Sequence, residues 1–191
     1  MDDTIEFWKN EWDKVTDRSE LEMDSVAQSS TTVLRPSFNN LLANFPTDEN
    51  GGEMPAAEVY KLIGGKVLAE YKRDPIGFSN ACALRVSRAL NGSGVAIPYI
   101  SGETLKGADE RNYFYRARNL YDWLIKSYGS PNFSTKDYSS LAGNHGIYIM
   151  QATRPADFGA WGHATLYNMT GTVGNSYAES PYMYRLYLWK F

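Results

Sequence analysis

One cysteine and two histidines, Cys82, His145 and His163, are all that this chain of 191 residues holds of those two residue types. A single thiol excludes an internal disulfide framework and any multi-cysteine zinc site, and two imidazoles leave little material for a metal centre. No metal and no cofactor is expected. The chain also lacks any apolar run of membrane-spanning length, so no membrane insertion is expected. Met1-Asp2-Asp3-Thr4 has neither the basic segment nor the apolar stretch of a secretory signal, which predicts synthesis in the cytoplasm without a signal peptide. Excess positive charge is missing as well. With a net charge of −3, nothing favours a nucleic-acid partner. No internal repeat is present.

What the chain has in abundance is aromatic surface: fourteen tyrosines, eight phenylalanines and five tryptophans. These suit a groove that grips sugars or peptides and suit a β-rich core equally well. The length is right for one well-buried domain.

Residues 1–34 read as an N-terminal extension. Ile5, Trp8, Trp12 and Val15 recur at helical spacing among charged residues, predicting a short amphipathic helix. A polar linker through Gln28 to Thr32 follows. The domain proper is expected over 35–191. Phe38, Leu41, Leu42 and Phe45 keep helical spacing until Pro46, and residues 46–55 form a polar loop. A helix is predicted from about Ala56 to Tyr71, where Gly64-Gly65 marks a kink or the close approach of another backbone.

Cys82 stands where a further helix should begin. Ser79 or Asn80 can cap it, Ala83, Val86 and Leu90 form its apolar face, and Asn91-Gly92-Ser93-Gly94 ends it. The first turn of a helix favours thiolate over thiol, and the thiolate is the nucleophile. A buried structural cysteine fits the same local pattern. A long loop over 92–110 and a helix near Asn112 to Tyr128 come next.

From there the pattern changes to period two. Strands are predicted at His145–Met150, at Gly162–Tyr167, at Thr172–Ser176 and at Tyr182–Trp189. Helices first and strands later describe an α+β domain, with N-terminal helices packed on a C-terminal antiparallel β-sheet.

A cysteine nucleophile needs a histidine base. His163 is the favoured candidate, lying between Gly162 and Ala164, which let a helix pack closely. His145 is read as a structural or pocket-rim residue. Trp161 can wall the site and exclude water. A third group should orient the imidazole; Asn175 is the candidate, and Asn168 is placed in a turn. The Cys82 backbone N–H is a natural donor to a developing oxyanion. Asn80 and Ala81, next to the cysteine, join Trp161 as expected substrate contacts.

Asn80-Ala81-Cys82-Ala83-Leu84-Arg85-Val86-Ser87-Arg88-Ala89-Leu90-Asn91 resembles the nucleophile helix of the fourth family of type VI secretion amidase effectors, papain-like enzymes related to NlpC-type cell-wall peptidases. The resemblance extends to Arg35-Pro36-Ser37-Phe38, Ile63-Gly64-Gly65-Lys66-Val67, Gly107 to Tyr113, His145-Gly146-Ile147 and Gly162 to Tyr167, in the family's order. It implies a papain-like, NlpC-type fold and an antibacterial amidase. Such an enzyme cuts the γ-D-glutamyl–meso-diaminopimelate bond of peptidoglycan stem peptides through a cysteine thioester. It also implies Cys82 as nucleophile and His163 as base, a type VI secretion apparatus, a cognate immunity protein that plugs the site, and action in the periplasm of target bacteria. The family's third residue is an aspartate, where this chain offers Asn175 about one position off. Some members carry a disulfide near the site, which one cysteine cannot form. Residues 1–34 have no counterpart. The competing readings are a catalytically inactive cell-wall or carbohydrate-binding protein on the same fold, and an amidase that cuts the diaminopimelate–D-alanine cross-link.

Overall fold

A computed structural model describes residues 33–191. The helix and linker expected within residues 1–32 lie outside the described residues. The first helix, α1 (Phe38–Asn44), is capped by Ser37, whose side chain accepts from the Asn40 N–H, and it ends before Pro46. The single helix expected over 56–71 is two: α2 (Ala56–Ile63) and α3 (Gly65–Arg73). Both properties suggested by the glycine pair are present. Gly64 breaks the helix at φ 67°, and Gly65, at φ 58°, lies so close to the Gly107–Ala108 backbone that a Cβ there would overlap it. The Ala108 N–H donates to the Ile63 carbonyl at this crossing.

The cysteine helix, α4 (Cys82–Gly92), lies at the centre of the molecule. Cys82, Ala83, Val86, Ala89 and Leu90 belong to the main core, and Leu84, with Ala81 just before the helix, belongs to a second core built on α2 and α3. A helix buried on most of its faces needs partners for its polar side chains, and these are supplied. Ser87 Oγ accepts from the Phe114 N–H at 3.0 Å, and Asn91 Nδ2 donates to the Asn112 carbonyl at 2.9 Å.

The long loop after α4 contains β1 (Thr104–Lys106), paired antiparallel with β2 (Asn112–Phe114). The predicted helix at Asn112 therefore begins later, as α5 (Ala117–Tyr128). Pairing of Tyr113 and Phe114 into a hairpin, with both side chains buried, overrides the helical spacing that continues through them. Beyond α5 come β3 (Phe133–Thr135), a short 3₁₀ turn at Tyr138–Leu141, β4 (His145–Ala152), the single turn α6 (Pro155–Phe158), β5 (Gly162–Asn168) and β6 (Met183–Lys190). The sheet order is β3-β6-β4-β5, antiparallel throughout. The strand expected at 172–176 is reduced to one bridge, between Tyr167 and Thr172. That segment is held instead by the Thr165 hydroxyl donating to the Val173 carbonyl and by Tyr148 donating to the Ser176 carbonyl. The architecture is α+β, helices on an antiparallel sheet, with β5 as the edge strand that meets α4.

Candidate active site

The N-terminus of α4 meets β5 at Cys82. Neither Ser79 nor Asn80 caps the helix: the N-cap is Ala81, and no side chain bonds to the first turn. The reason is tertiary: the chain after the Asp74–Phe78 turn is held by the Tyr60 hydroxyl, which donates to the Asn80 carbonyl at 3.1 Å. Cys82, the first residue of this uncapped turn, lines the cleft.

Cys82 is 6% exposed and His163 is 7% exposed. Burial pushes the Cys82 thiol up, but hydrogen bonding to His163, the charge on that imidazole and the Ala164 N–H outweigh burial, so the thiol is held below its ordinary value. For His163, burial pulls the imidazole down; its interactions with Cys82 and with the Glu53 carboxylate outweigh burial and raise the value to about 9. Opposite shifts on two touching groups favour the charged pair, thiolate with imidazolium, over the neutral one.

The far side of the imidazole is occupied by a residue that sequence reasoning missed. His163 Nε2 lies 3.3 Å from Glu53 Oε1, with side chains 8% and 13% exposed. Neither atom has an aligned hydrogen bond or any solvent. The other carboxylate oxygen of Glu53 lies 3.4 Å from Arg85 Nη1, and Arg85 donates from Nε and Nη2 to the Met54 carbonyl at 2.9 and 2.6 Å. Glu53 comes from the 46–55 loop, where it forms a bridge with Thr47. A sequence signal did exist at the other end of the pair. Arg85 is a charged residue among Ala83, Val86, Ala89 and Leu90, and a buried arginine requires an anion.

Asn175 does not reach the histidine. It is exposed, and it lines a separate shallow cleft with Lys136 and Glu179. Its place beside His163 is taken by the edge of the Tyr177 ring, with centroids 4.9 Å apart, and by Gly174, which packs on Glu53. The reason is backbone shape: Gly174, at φ 82°, turns the chain so that residue 175 faces outward. His145 stands at the opposite end of β4, pairs across to Asn168 and packs on Phe38 at 4.8 Å, as a structural residue.

Beside Cys82 opens a cavity of about 260 Å³, lined by Asn80, Tyr115, Arg116, Arg118, Trp161 and Gly162 among others. Asn80 and Trp161 thus face the cleft. Ala81 does not; it is buried in the core behind it. Trp161 lies under the Arg118 guanidinium at 5.4 Å and against Tyr121. Among the described residues, no group of His, Cys, Asp and Glu side chains is arranged to hold a metal ion.

Compared with known proteins, residues 78–189 match the family model for type VI secretion system (T6SS) amidase effector protein 4, Tae4. Among solved structures, the chain is similar to one in the type VI effector–immunity complex Tae4–Tai4 from Enterobacter cloacae. It is 27% identical, with a TM-score of 0.71 over 83% of this chain and 99% of that one. The Tae4–Tai4 complex from Salmonella Typhimurium gives 28% identity and a TM-score of 0.70, over 83% and 99%. The effector Tae4 from E. cloacae gives 26% and 0.69, over 84% and 99%. No curated protein sequence matches. With Cys82 at a helix N-terminus facing His163 on an antiparallel sheet, the fold is papain-like, of the NlpC type.

Proposed function

The chain belongs to the Tae4 family of type VI secretion amidase effectors, and on that premise we propose that it hydrolyses the γ-D-glutamyl–meso-diaminopimelate bond of peptidoglycan stem peptides through a Cys82 thioester. The observation that carries this reading is the buried contact between a thiol held low and an imidazole held high at the mouth of the cleft. The Cys82 thiolate attacks the γ-glutamyl carbonyl carbon, and the oxyanion faces the Cys82 N–H in the uncapped first turn of α4. The His163 imidazolium gives its proton to the departing diaminopimelate amine as the C–N bond breaks. The neutral imidazole then takes a proton from water, whose oxygen attacks the thioester, and the thiolate leaves as the pair reforms.

Asn80 and Trp161 contact the stem peptide. Residues 1–34 serve as an extension to an amidase domain at 35–191. The protein is carried by the type VI apparatus and active in the periplasm of the target cell. A cognate immunity protein occludes the cleft, as supported by the similarity to the effector–immunity complexes.

The test is digestion of diaminopimelate-type peptidoglycan by the wild-type protein and by Cys82→Ala, with mass analysis. Fragments ending in D-glutamate, absent with the variant, support the reading. Fragments ending in diaminopimelate move the cut to the cross-link. No digestion in reducing buffer leaves a binding protein on the same fold.

A further inference from the structure

We propose that Glu53, reaching His163 from the loop ahead of the nucleophile helix, is the positioning residue for the imidazole, and that Arg85 holds it there. This rests on the reading of Cys82 as nucleophile and His163 as base. An imidazole that bonds a thiolate through one ring nitrogen needs a fixed partner at the other, or the ring rotates out of line. Among the described residues, Glu53 is the carboxylate within ion-pair distance of His163, with its Oε1 3.3 Å from Nε2. Of the acids flanking His163 in the chain, Asp157 pairs with Arg154 at 2.9 Å and Glu179 is exposed.

Three features make the site a built one. A carboxylate this far from water needs a compensating cation, and Arg85 supplies it at 3.4 Å while its own fork is locked onto the Met54 carbonyl, one residue beyond Glu53. Gly174 packs directly on the acid: a Cβ at that position would come within 2.5 Å of Glu53 Cγ, so Glu53 fills the space beside residue 174 that only a glycine leaves open. Lastly, Glu53 Oε1 and His163 Nε2 are sealed from solvent with no other partner, so each has only the other to satisfy it. Cys82 and the Tyr177 ring also adjoin the imidazole.

The experiment compares wild type, Glu53→Gln, Glu53→Asp and Asn175→Ala by two readouts: the His163 ring titration followed by NMR, and kcat and KM for peptidoglycan fragments. The isosteric amide keeps the shape and removes the charge. Glu53→Gln should lower the His163 titration midpoint by about one pH unit or more and cut kcat about tenfold or more, with KM within about twofold. Glu53→Asp, which retains the charge one methylene further back, should recover part of both losses. Asn175→Ala should change neither. The proposal is overturned if His163 titrates alike in wild type and Glu53→Gln, or if the loss of kcat appears in Asn175→Ala instead. Should Glu53→Gln not fold, the aspartate variant decides: wild-type kcat and titration there would equally overturn it. The titration needs no substrate, so it stands even if wild type leaves peptidoglycan intact, the outcome that would remove the amidase reading alone.

Discussion

Cys82 and Arg85 stand one turn apart on α4, at the two ends of the line Cys82–His163–Glu53–Arg85. A thiol, an imidazole, a carboxylate and a guanidinium thus close into a loop whose first and last members ride on one buried helix. Their spacing is set by helical geometry rather than by the sheet.

Arg85→Met tests that closure. The substitution keeps the apolar stem but leaves Glu53 without its cation and the Met54 carbonyl without its donor. Removing one partner of a buried pair costs about 3–5 kcal/mol, so the denaturant midpoint should fall substantially. A midpoint within experimental error of wild type would show that the ion pair contributes nothing to stability.

The pH dependence follows from the two opposed shifts. In the proposed mechanism the reactive form carries the thiolate and the imidazolium together, so the rate should be bell-shaped. Its alkaline limb falls near the His163 value of about 9, and its acid limb lies where the lowered thiol regains its proton. For stability, the raised His163 contributes fully below its unfolded value of 6.5 and loses that contribution as pH rises through about 9. The lowered Cys82 does the opposite, contributing fully above its unfolded value of 9.0 and losing it as pH falls through the folded one. The two slopes are opposite in sign, so they partly cancel where they overlap; urea titrations across pH should show His163→Gln without the loss of stability that the histidine brings as pH rises through about 9.

Cys82→Ala should lower hydrolysis by about 10⁴-fold or more while leaving the fold intact, since Cys82 packs as a small apolar residue in the core. Retention of more than a few per cent of wild-type turnover, measured with purified fragments, would remove the thioester route.

Gly65→Ala addresses the fold rather than the chemistry. At φ 58° the added methyl is strained, and it overlaps the Gly107–Ala108 backbone. Backbone strain and overpacking together predict a loss of about 2–4 kcal/mol. Thermal unfolding of this variant beside Gly102→Ala, also at positive φ but in open space, separates the clash from the strain.

How much of this could be read in the sequence depended on where each residue sits. Cys82 and His163 lie in segments with clear periods, one helical and one alternating, and both segments carry small neighbours that advertise close packing. The helix–sheet contact between them was legible for that reason. Glu53 was not, because the 46–55 segment has no period and its function arises from pairing with residues over a hundred positions away or on another element. Asn175 was misplaced because register on a short strand is inferred from alternation, and Gly174 abolishes the alternation before residue 175. The capping residue of α4 was misread for a related reason, since local preference names Ser79 or Asn80 while tertiary contact with Tyr60 claims that backbone.

The Ser87 and Asn91 bonds that stitch α4 to β2 have a bearing on time rather than geometry. An element tied on several sides opens only with the whole molecule, so its amides should be among the last to exchange with solvent. The segment bearing Glu53 is fastened to that same helix, because Arg85 grips the Met54 carbonyl and pairs with Glu53. Nucleophile and acid therefore belong to one opening event, and the alignment of the histidine should be lost only when the cysteine helix itself lets go.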